Sequence, residues 1–107
     1  MTDVEQDSID YAALFLGASL IVVLGHESCG AVTAVLSNQI DYIPTIAAWI
    51  KKGISQHSTL EEAVKENVHH GMEIILSAAV LEPLLKEKKL KIVGGYYSLK
   101  DGKVHFF

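Results

Sequence analysis

The spacing of hydrophobic residues changes several times along the chain, and these changes divide it into predicted helices and strands. Four apolar residues between positions 9 and 16 recur at helical spacing, with Asp7 or Ser8 as the N-cap and Gly17 as the stop. Residues 19–24 follow as an unbroken apolar run. Because parallel strands that are covered on both faces show this pattern, the run predicts a strand in the middle of a sheet.

The middle of the chain predicts helices. Residues 31–36 form one short helix, and a second helix carries Pro44 in its first turn and closes at Gly53. Ser58 and Glu61 match a capping box, which opens a long helix with a single apolar stripe. Because Pro83 cannot continue that helix, we expect a bend over residues 77–82 and a shorter helix to about residue 88.

The end of the chain predicts a β-hairpin. Residues 90–99 form the second strand, Asp101-Gly102 is a two-residue hairpin signal, and residues 104–107 form the last strand, antiparallel to the second. The helices between the first two strands form a crossover, which we expect to be right-handed. The predicted fold class is therefore α/β: a partial parallel sheet with a helical crossover and a C-terminal antiparallel hairpin strand, in one domain over residues 1–107.

Composition narrows the function classes. The chain has 107 residues, half of them hydrophobic, and a formal net charge of -4, with one lysine group at residues 86–89. Nucleic acid is not expected as a partner, because phosphate binding needs a basic surface. One cysteine permits no internal disulfide, the apolar stretches are too short for a membrane span, and residues 1–7 are acidic, unlike a secretory signal. We expect a cytoplasmic protein with no membrane partner.

The candidate chemistry follows the first predicted strand directly. His26 and Cys29 are three residues apart across a strand-to-helix turn, where both side chains could bind one metal ion. Zinc binds imidazole nitrogen and thiolate sulfur readily. The alternative interpretation is structural, since a buried cysteine usually packs as a small hydrophobic residue. His69 and His70 are neighbours on the long helix, so at most one of them could face any given site.

Three separate blocks of the sequence resemble the β-class carbonic anhydrases. The family's His-x-x-Cys-Gly-Ala signature at a strand end is matched by residues 26–31, and further blocks are matched by residues 8–18 and 91–104. The resemblance implies the family's fold, zinc as cofactor with His26 and Cys29 as metal ligands, and the reversible hydration of carbon dioxide to bicarbonate. It covers the C-terminal part of the family.

The family's earlier Cys-x-Asp-x-Arg segment has no counterpart here, because the chain has one cysteine and no arginine. That segment supplies a further zinc ligand and an aspartate–arginine pair, so the resemblance implies a truncated domain with an incomplete site. No residue is assigned a catalytic role, zinc is expected at low occupancy, and activity of this chain alone is not expected.

Several ways of completing or replacing the site stay open. Two chains could combine two copies of His26 and Cys29 into a closed Cys2His2 site, which would be structural. A separate polypeptide could supply the missing strand and its cysteine, or the chain could hold no metal. The vacated sheet edge predicts self-association into a homodimer or larger oligomer. The alternative to an enzyme is therefore a non-catalytic oligomeric scaffold or a metal-linked structural dimer.

Overall fold

The computed structural model describes all 107 residues as five α-helices, one 3₁₀ turn and three strands. The α/β class is confirmed, with helices between the first two strands and a hairpin at the end. In chain order the elements are α1 (Asp3–Leu14), β1 (Leu20–His26), α2 (Gly30–Leu36), α3 (Pro44–Gly53), α4 (Leu60–Leu76), the 3₁₀ turn (Ala79–Leu81), α5 (Glu82–Lys86), β2 (Lys91–Tyr97) and β3 (Val104–Phe106).

The sheet has the order β1-β2-β3, so β2 is its central strand. β1 pairs with β2 in parallel over seven residues, from Leu20 opposite Lys91 to His26 opposite Tyr97. β3 pairs with β2 antiparallel, with Gly95 opposite Phe106. The parallel pair requires a crossover, and α2 to α5 supply it. The carboxyl end of β1, where His26 lies, therefore adjoins the hairpin end of β2.

Glycines let α4 pack closely against the sheet. A Cβ atom at Gly25 of β1 would lie 2.7 Å from Cγ1 of Val64 and 2.8 Å from Cγ2 of Val68. A Cβ at Gly94 of β2 would lie 2.9 Å from Sδ of Met72. Since real Cβ atoms do not approach other atoms so closely, only glycine permits this contact between strand and helix.

Buried side chains form two clusters against the helices. One cluster joins α2, α3 and α4 to Tyr96 of β2, and the other joins α1, the end of α4 and the 3₁₀ turn to the start of β2. Only 15 of the 107 residues are buried, which is few because the sheet is covered on one face. The first cluster comprises Val32, Val35, Ala47, Ile50, Ala63, Val64 and Tyr96, and the second comprises Ala13, Ile75, Leu81 and Leu90.

The opposite face of the sheet is bare, and the prediction of a central β1 is wrong for these 107 residues. β1 lies at the sheet edge. Its residues Leu20, Val22 and Leu24 are 53%, 40% and 52% exposed, while Ile21 and Val23 between them are half-buried. An unbroken apolar run indicates that a strand is suited to burial on both faces. It does not indicate whether the same chain supplies the strand and the helix that would bury it.

Two helix starts differ from the prediction. α1 begins at Asp3 rather than near residue 8, because the backbone N–H of Thr2 donates a 2.7 Å hydrogen bond to the carboxylate of Glu5 and caps the helix. Hydrogen bonds from Thr2 also lower the pKa of Glu5. The N-cap of α4 is Thr59 rather than Ser58, one residue later than predicted. The capping pattern was thus correct in kind but shifted in position.

The predicted break after the long helix is confirmed. α4 ends at Leu76, the 3₁₀ turn follows, and Pro83 lies in the first turn of α5. No single helix is long and apolar enough to cross a membrane, whereas α4 and the segment Ala79–Lys86 meet the length and composition together with a 72° bend between them.

The hairpin turn is longer than the two residues predicted. The backbone N–H of Ser98 donates to the carbonyl of Lys103 and that of Gly102 donates to the carbonyl of Ser98, each at 2.9 Å. These bonds enclose a four-residue loop, residues 99–102. Gly102 takes a left-handed φ of +69°, which suits glycine because it has no side chain to clash.

Candidate metal site

His26 is the last residue of β1, and its ring is oriented by the neighbouring backbone. Its Nδ1 lies 2.9 Å from the carbonyl oxygen of Glu27. Because a carbonyl oxygen can only accept, this hydrogen bond places the imidazole proton on Nδ1 and leaves the lone pair on Nε2. Metal-binding histidines commonly use this arrangement, in which one ring nitrogen donates to a carbonyl and the other binds the metal.

Two hydrogen bonds of Glu27 hold the turn between His26 and Cys29 against the end of β2 and the hairpin loop. The backbone N–H of Glu27 donates to the carbonyl of Tyr97 at 2.9 Å, and the carboxylate of Glu27 accepts a 2.8 Å hydrogen bond from the N–H of Leu99. Ser28 adopts a left-handed φ of +60°, which is uncommon for a residue with a side chain. Such strain persists only where surrounding contacts hold it, and here the two hydrogen bonds of Glu27 do so.

Cys29 lies at the N-cap of α2, and its thiol is free and half-buried. Its carbonyl oxygen accepts hydrogen bonds from Thr33, at 3.0 Å from the backbone N–H and 2.8 Å from Oγ1. Val32 and Val35 are each 1% exposed and anchor α2 in the core. The position of the thiol is therefore set by a helix that is packed in place.

One open cavity of about 610 Å³ brings the two predicted ligands together. It runs along β1 between α1, α3 and α4, and both His26 and Cys29 line it. Apart from these two residues, its titratable lining is limited to the chain's first residue and Glu5, whose carboxylate is bound to Thr2. No aspartate or lysine lines the cavity, so no acid-base pair stands beside the two candidate ligands.

The donor set falls short of a complete zinc site. No group of three or more His, Cys, Asp or Glu side chains is placed so that it could hold a metal ion. Zinc sites in proteins use three protein ligands where they are catalytic and four where they are structural. His26 and Cys29 carry donor atoms of the types that zinc binds, but two donors amount to part of a site.

The other histidines lie apart from this pair. His69 meets the ring of Phe107 edge-on with ring centroids 5.0 Å apart, and His70 stacks on Trp49 at 4.5 Å. The two neighbouring histidines thus face different directions, as the helical geometry predicts. His57 and His105 are exposed.

Asn67 of α4 is a cavity residue that the sequence analysis missed. Its Oδ1 is buried and has no hydrogen-bond partner, and Asn67 is one of the residues that line the cavity containing His26 and Cys29. The available signal was its place three residues after Val64 and four before Gly71, on the apolar face of an amphipathic helix. A polar residue at such a position needs a partner.

A family model described as carbonic anhydrase matches residues 2–104 of the chain. The chain belongs to the carbonic anhydrase family. Among curated relatives, carbonic anhydrase 2 of Mycobacterium tuberculosis is 32% identical over 90% of this chain, and carbonic anhydrase 1 of Escherichia coli O157:H7 is 29% identical over 94%. Each match covers 52% of the relative, so the chain spans about half the length of the curated relatives it matches.

Solved structures place the carbonic anhydrase fold in the β class. The β-carbonic anhydrase CafA of Aspergillus fumigatus superimposes with a TM-score of 0.82, at 20% identity, over 99% of this chain and 57% of that one. The β-carbonic anhydrase CcaA gives a TM-score of 0.81 at 21% identity, over 100% of this chain and 55% of that one. The resemblance drawn from the sequence blocks is confirmed, and the chain corresponds to part of the β-carbonic anhydrase fold.

Proposed function

We propose that this chain carries part of a β-carbonic anhydrase zinc site, with His26 Nε2 and Cys29 Sγ as its two ligands, and that it does not hydrate carbon dioxide by itself. The observation that carries the proposal is the orientation of His26, whose Nδ1 faces the Glu27 carbonyl and leaves Nε2 for a metal. Both residues line one cavity. At least one further donor must come from outside residues 1–107.

The chemistry that zinc would supply shows which groups this chain lacks. In a complete site of this kind, zinc lowers the pKa of a bound water to near neutrality and so supplies hydroxide for attack on carbon dioxide. This chain can orient an imidazole and present a thiol, but Glu5 is engaged in the cap of α1 and no other carboxylate lines the cavity. With two protein ligands, zinc is expected to bind weakly, and carbon dioxide and bicarbonate are the substrates only of a completed site.

Zinc titration and stopped-flow hydration test this proposal together. We expect zinc affinity to fall at least tenfold in His26→Ala and in Cys29→Ser, and to stay unchanged in His57→Ala, which removes an exposed histidine elsewhere. Hydration by the zinc-loaded chain should equal the buffer rate in all four proteins. If the chain binds zinc tightly at one equivalent and hydrates carbon dioxide, and Cys29→Ser abolishes that turnover, the site is complete and the proposal is wrong. If all variants bind zinc with equal affinity, neither His26 nor Cys29 is a zinc ligand.

A second candidate function, a non-catalytic self-associating scaffold, is favoured by the bare apolar face of the sheet. Leu20, Leu24 and Phe106 on that face are each more than half exposed. Contiguous apolar surface of this kind marks an interaction site. One structural neighbour from Sordaria macrospora, with a TM-score of 0.72, is described as a tetrameric β-carbonic anhydrase. We propose that this single-domain chain also self-associates, in the cytoplasm, as a homodimer or larger oligomer.

Edge pairing and a shared zinc are competing forms of such a dimer. If two β1 strands paired antiparallel over their full length, His26 of one copy would lie opposite Leu20 of the other. The two His26 residues would then be about 20 Å apart, six residues along the strand. Zinc–nitrogen bonds are about 2 Å long, so this dimer cannot form a Cys2His2 site. A chelator should dissociate only the metal-linked form, which sedimentation velocity with and without EDTA would reveal.

A further inference from the structure

A polar pocket of about 310 Å³ lies where the turn after β1, the hairpin and the first turns of α4 meet. It shares no lining residue with the cavity that contains His26 and Cys29. The pocket opens at the carboxyl ends of the two parallel strands, which is where ligands of such sheets gather. Two carboxylates and two ammonium groups line it, from Glu27, Glu61, Lys65 and Lys100.

Tyr96 is the buried residue of this pocket and is only 7% exposed. Its hydroxyl forms no hydrogen bond within the chain, and it is not one of the two unpartnered side-chain atoms that are shielded from solvent. A ligand can therefore reach it. Burial, followed by the negative charges of Glu61 and Glu27, raises the pKa of the phenol. The potential at the hydroxyl is thus negative, which favours a cationic group beside the phenol oxygen.

The charged groups of the pocket form one ion pair and leave two groups unpaired. The ammonium of Lys65 lies 3.6 Å from the carboxylate of Glu61. Glu27 and Lys100 belong to none of the three ion pairs in the chain. The carboxylate of Glu27 accepts from the N–H of Leu99, the residue before Lys100, so these two opposite charges border one pocket from adjoining segments. A ligand between them would meet a carboxylate and an ammonium group together.

We propose that this pocket binds a small zwitterion of the α-amino acid type. Its ammonium group donates to the carboxylate of Glu27 and to the phenol oxygen of Tyr96, and its carboxylate accepts from Lys100. A simple anion would be repelled by Glu27 and Glu61, and a simple cation would be repelled by Lys65 and Lys100, whereas each charge of a zwitterion meets an opposite one. Because the pocket is open to solvent, each contact is weak, and we expect a dissociation constant of about 1 mM.

Glycine and its two halves test the proposal. Near pH 7 glycine carries both charges, methylamine carries the ammonium alone and acetate carries the carboxylate alone. Each is titrated at constant ionic strength into the uniformly ¹⁵N-labelled chain, and the amide shifts of Ser98, Leu99 and Lys100 are followed. Metal-free buffer keeps the result independent of the proposed zinc site. Glycine should bind at least about tenfold more tightly than either half.

Single substitutions assign the two ends of the ligand. Lys100→Gln should weaken glycine binding about tenfold and leave methylamine binding unchanged. Lys103→Gln is the matched control, because it removes an exposed lysine beside the same loop that does not line the pocket. Tyr96→Phe should weaken the binding of glycine and methylamine and leave that of acetate unchanged.

Three results would overturn the proposal. These are a half that binds as tightly as glycine, glycine that leaves the three amides unshifted, and equal losses in Lys100→Gln and Lys103→Gln. The comparison of glycine with its halves uses the unaltered chain, so it stands even if Tyr96→Phe does not fold.

Discussion

The two faces of the sheet are both apolar, yet they differ in what covers them. On one face, α4 lies so close that Gly25 and Gly94 are required, and the buried clusters form there. On the other face Leu24 is 52% exposed and Phe106 is 65% exposed. Hydrophobic sequence alone therefore does not define the core of this chain. The covered face contains the buried clusters, whereas the apolar residues of the bare face stay exposed.

The two faces should differ most in how far a leucine-to-alanine substitution lowers the free energy of unfolding. Leu81→Ala removes a side chain that is 0% exposed, at the 3₁₀ turn under the covered face, and should lower the free energy of unfolding by about 2–5 kcal/mol. Leu24→Ala on the bare face should change it by less than about 0.5 kcal/mol. Urea titrations at low protein concentration give both values. Similar losses would mean that the bare face is covered in solution.

The glycine contact between β1 and α4 should show the next largest effect. Gly25→Ala places a methyl group 2.7 Å from Cγ1 of Val64 and should cost about 1–3 kcal/mol through overpacking. The control is Gly30→Ala, where nothing lies within 4 Å of the added atom and the change should stay below about 1 kcal/mol. Equal costs in thermal unfolding would contradict the close packing of this face.

A substitution on the bare face should change self-association rather than folding stability. Leu24→Thr makes the face more polar and should weaken self-association by about tenfold, equivalent to about 1.4 kcal/mol. Leu99→Thr is the matched control, because Leu99 is 59% exposed in the hairpin loop and away from this face. Sedimentation velocity over a concentration series measures both. If the two variants associate equally, the bare face is not the interface.

The smallest effect concerns Tyr96 on the covered face. Burial, followed by the negative charges of Glu61 and Glu27, raises the pKa of its phenol above the ordinary value of 10.0. The unfolded chain therefore loses this proton first, so the stabilisation is complete below pH 10 and declines as pH rises past that value. Tyr96→Phe should remove that part of the decline. Parallel curves of unfolding free energy against pH for the two proteins would contradict the shift.

Local patterns predicted most of the elements, because their causes lie within a few residues. Pro44 and Gly53 bound α3 as expected, and Pro83 opens α5 after the predicted break. The start of α1 was missed because the bond between Thr2 and Glu5 extends the helix beyond its apolar periodicity. The spacing of hydrophobic residues shows which part of a helix is buried, but it does not detect a first turn that is exposed to solvent.

The site was predictable only where one segment contains it. His26 and Cys29 follow a strand and precede a helix, so their common cavity could be expected. The left-handed Ser28 and the exposed face of β1 could not, because both depend on contacts with distant segments or on strands that these residues do not include. The unpartnered Asn67 likewise emerges only when α4 is placed against β1.

The hydrogen bond from the N–H of Leu99 to the carboxylate of Glu27 links residues 72 positions apart. It makes the hairpin loop a brace for the short turn that separates imidazole from thiol. The spacing of those two groups is thus governed partly from the far end of the chain. A random mutagenesis screen for altered metal affinity should accordingly recover substitutions in this loop, although none of its side chains lines the cavity.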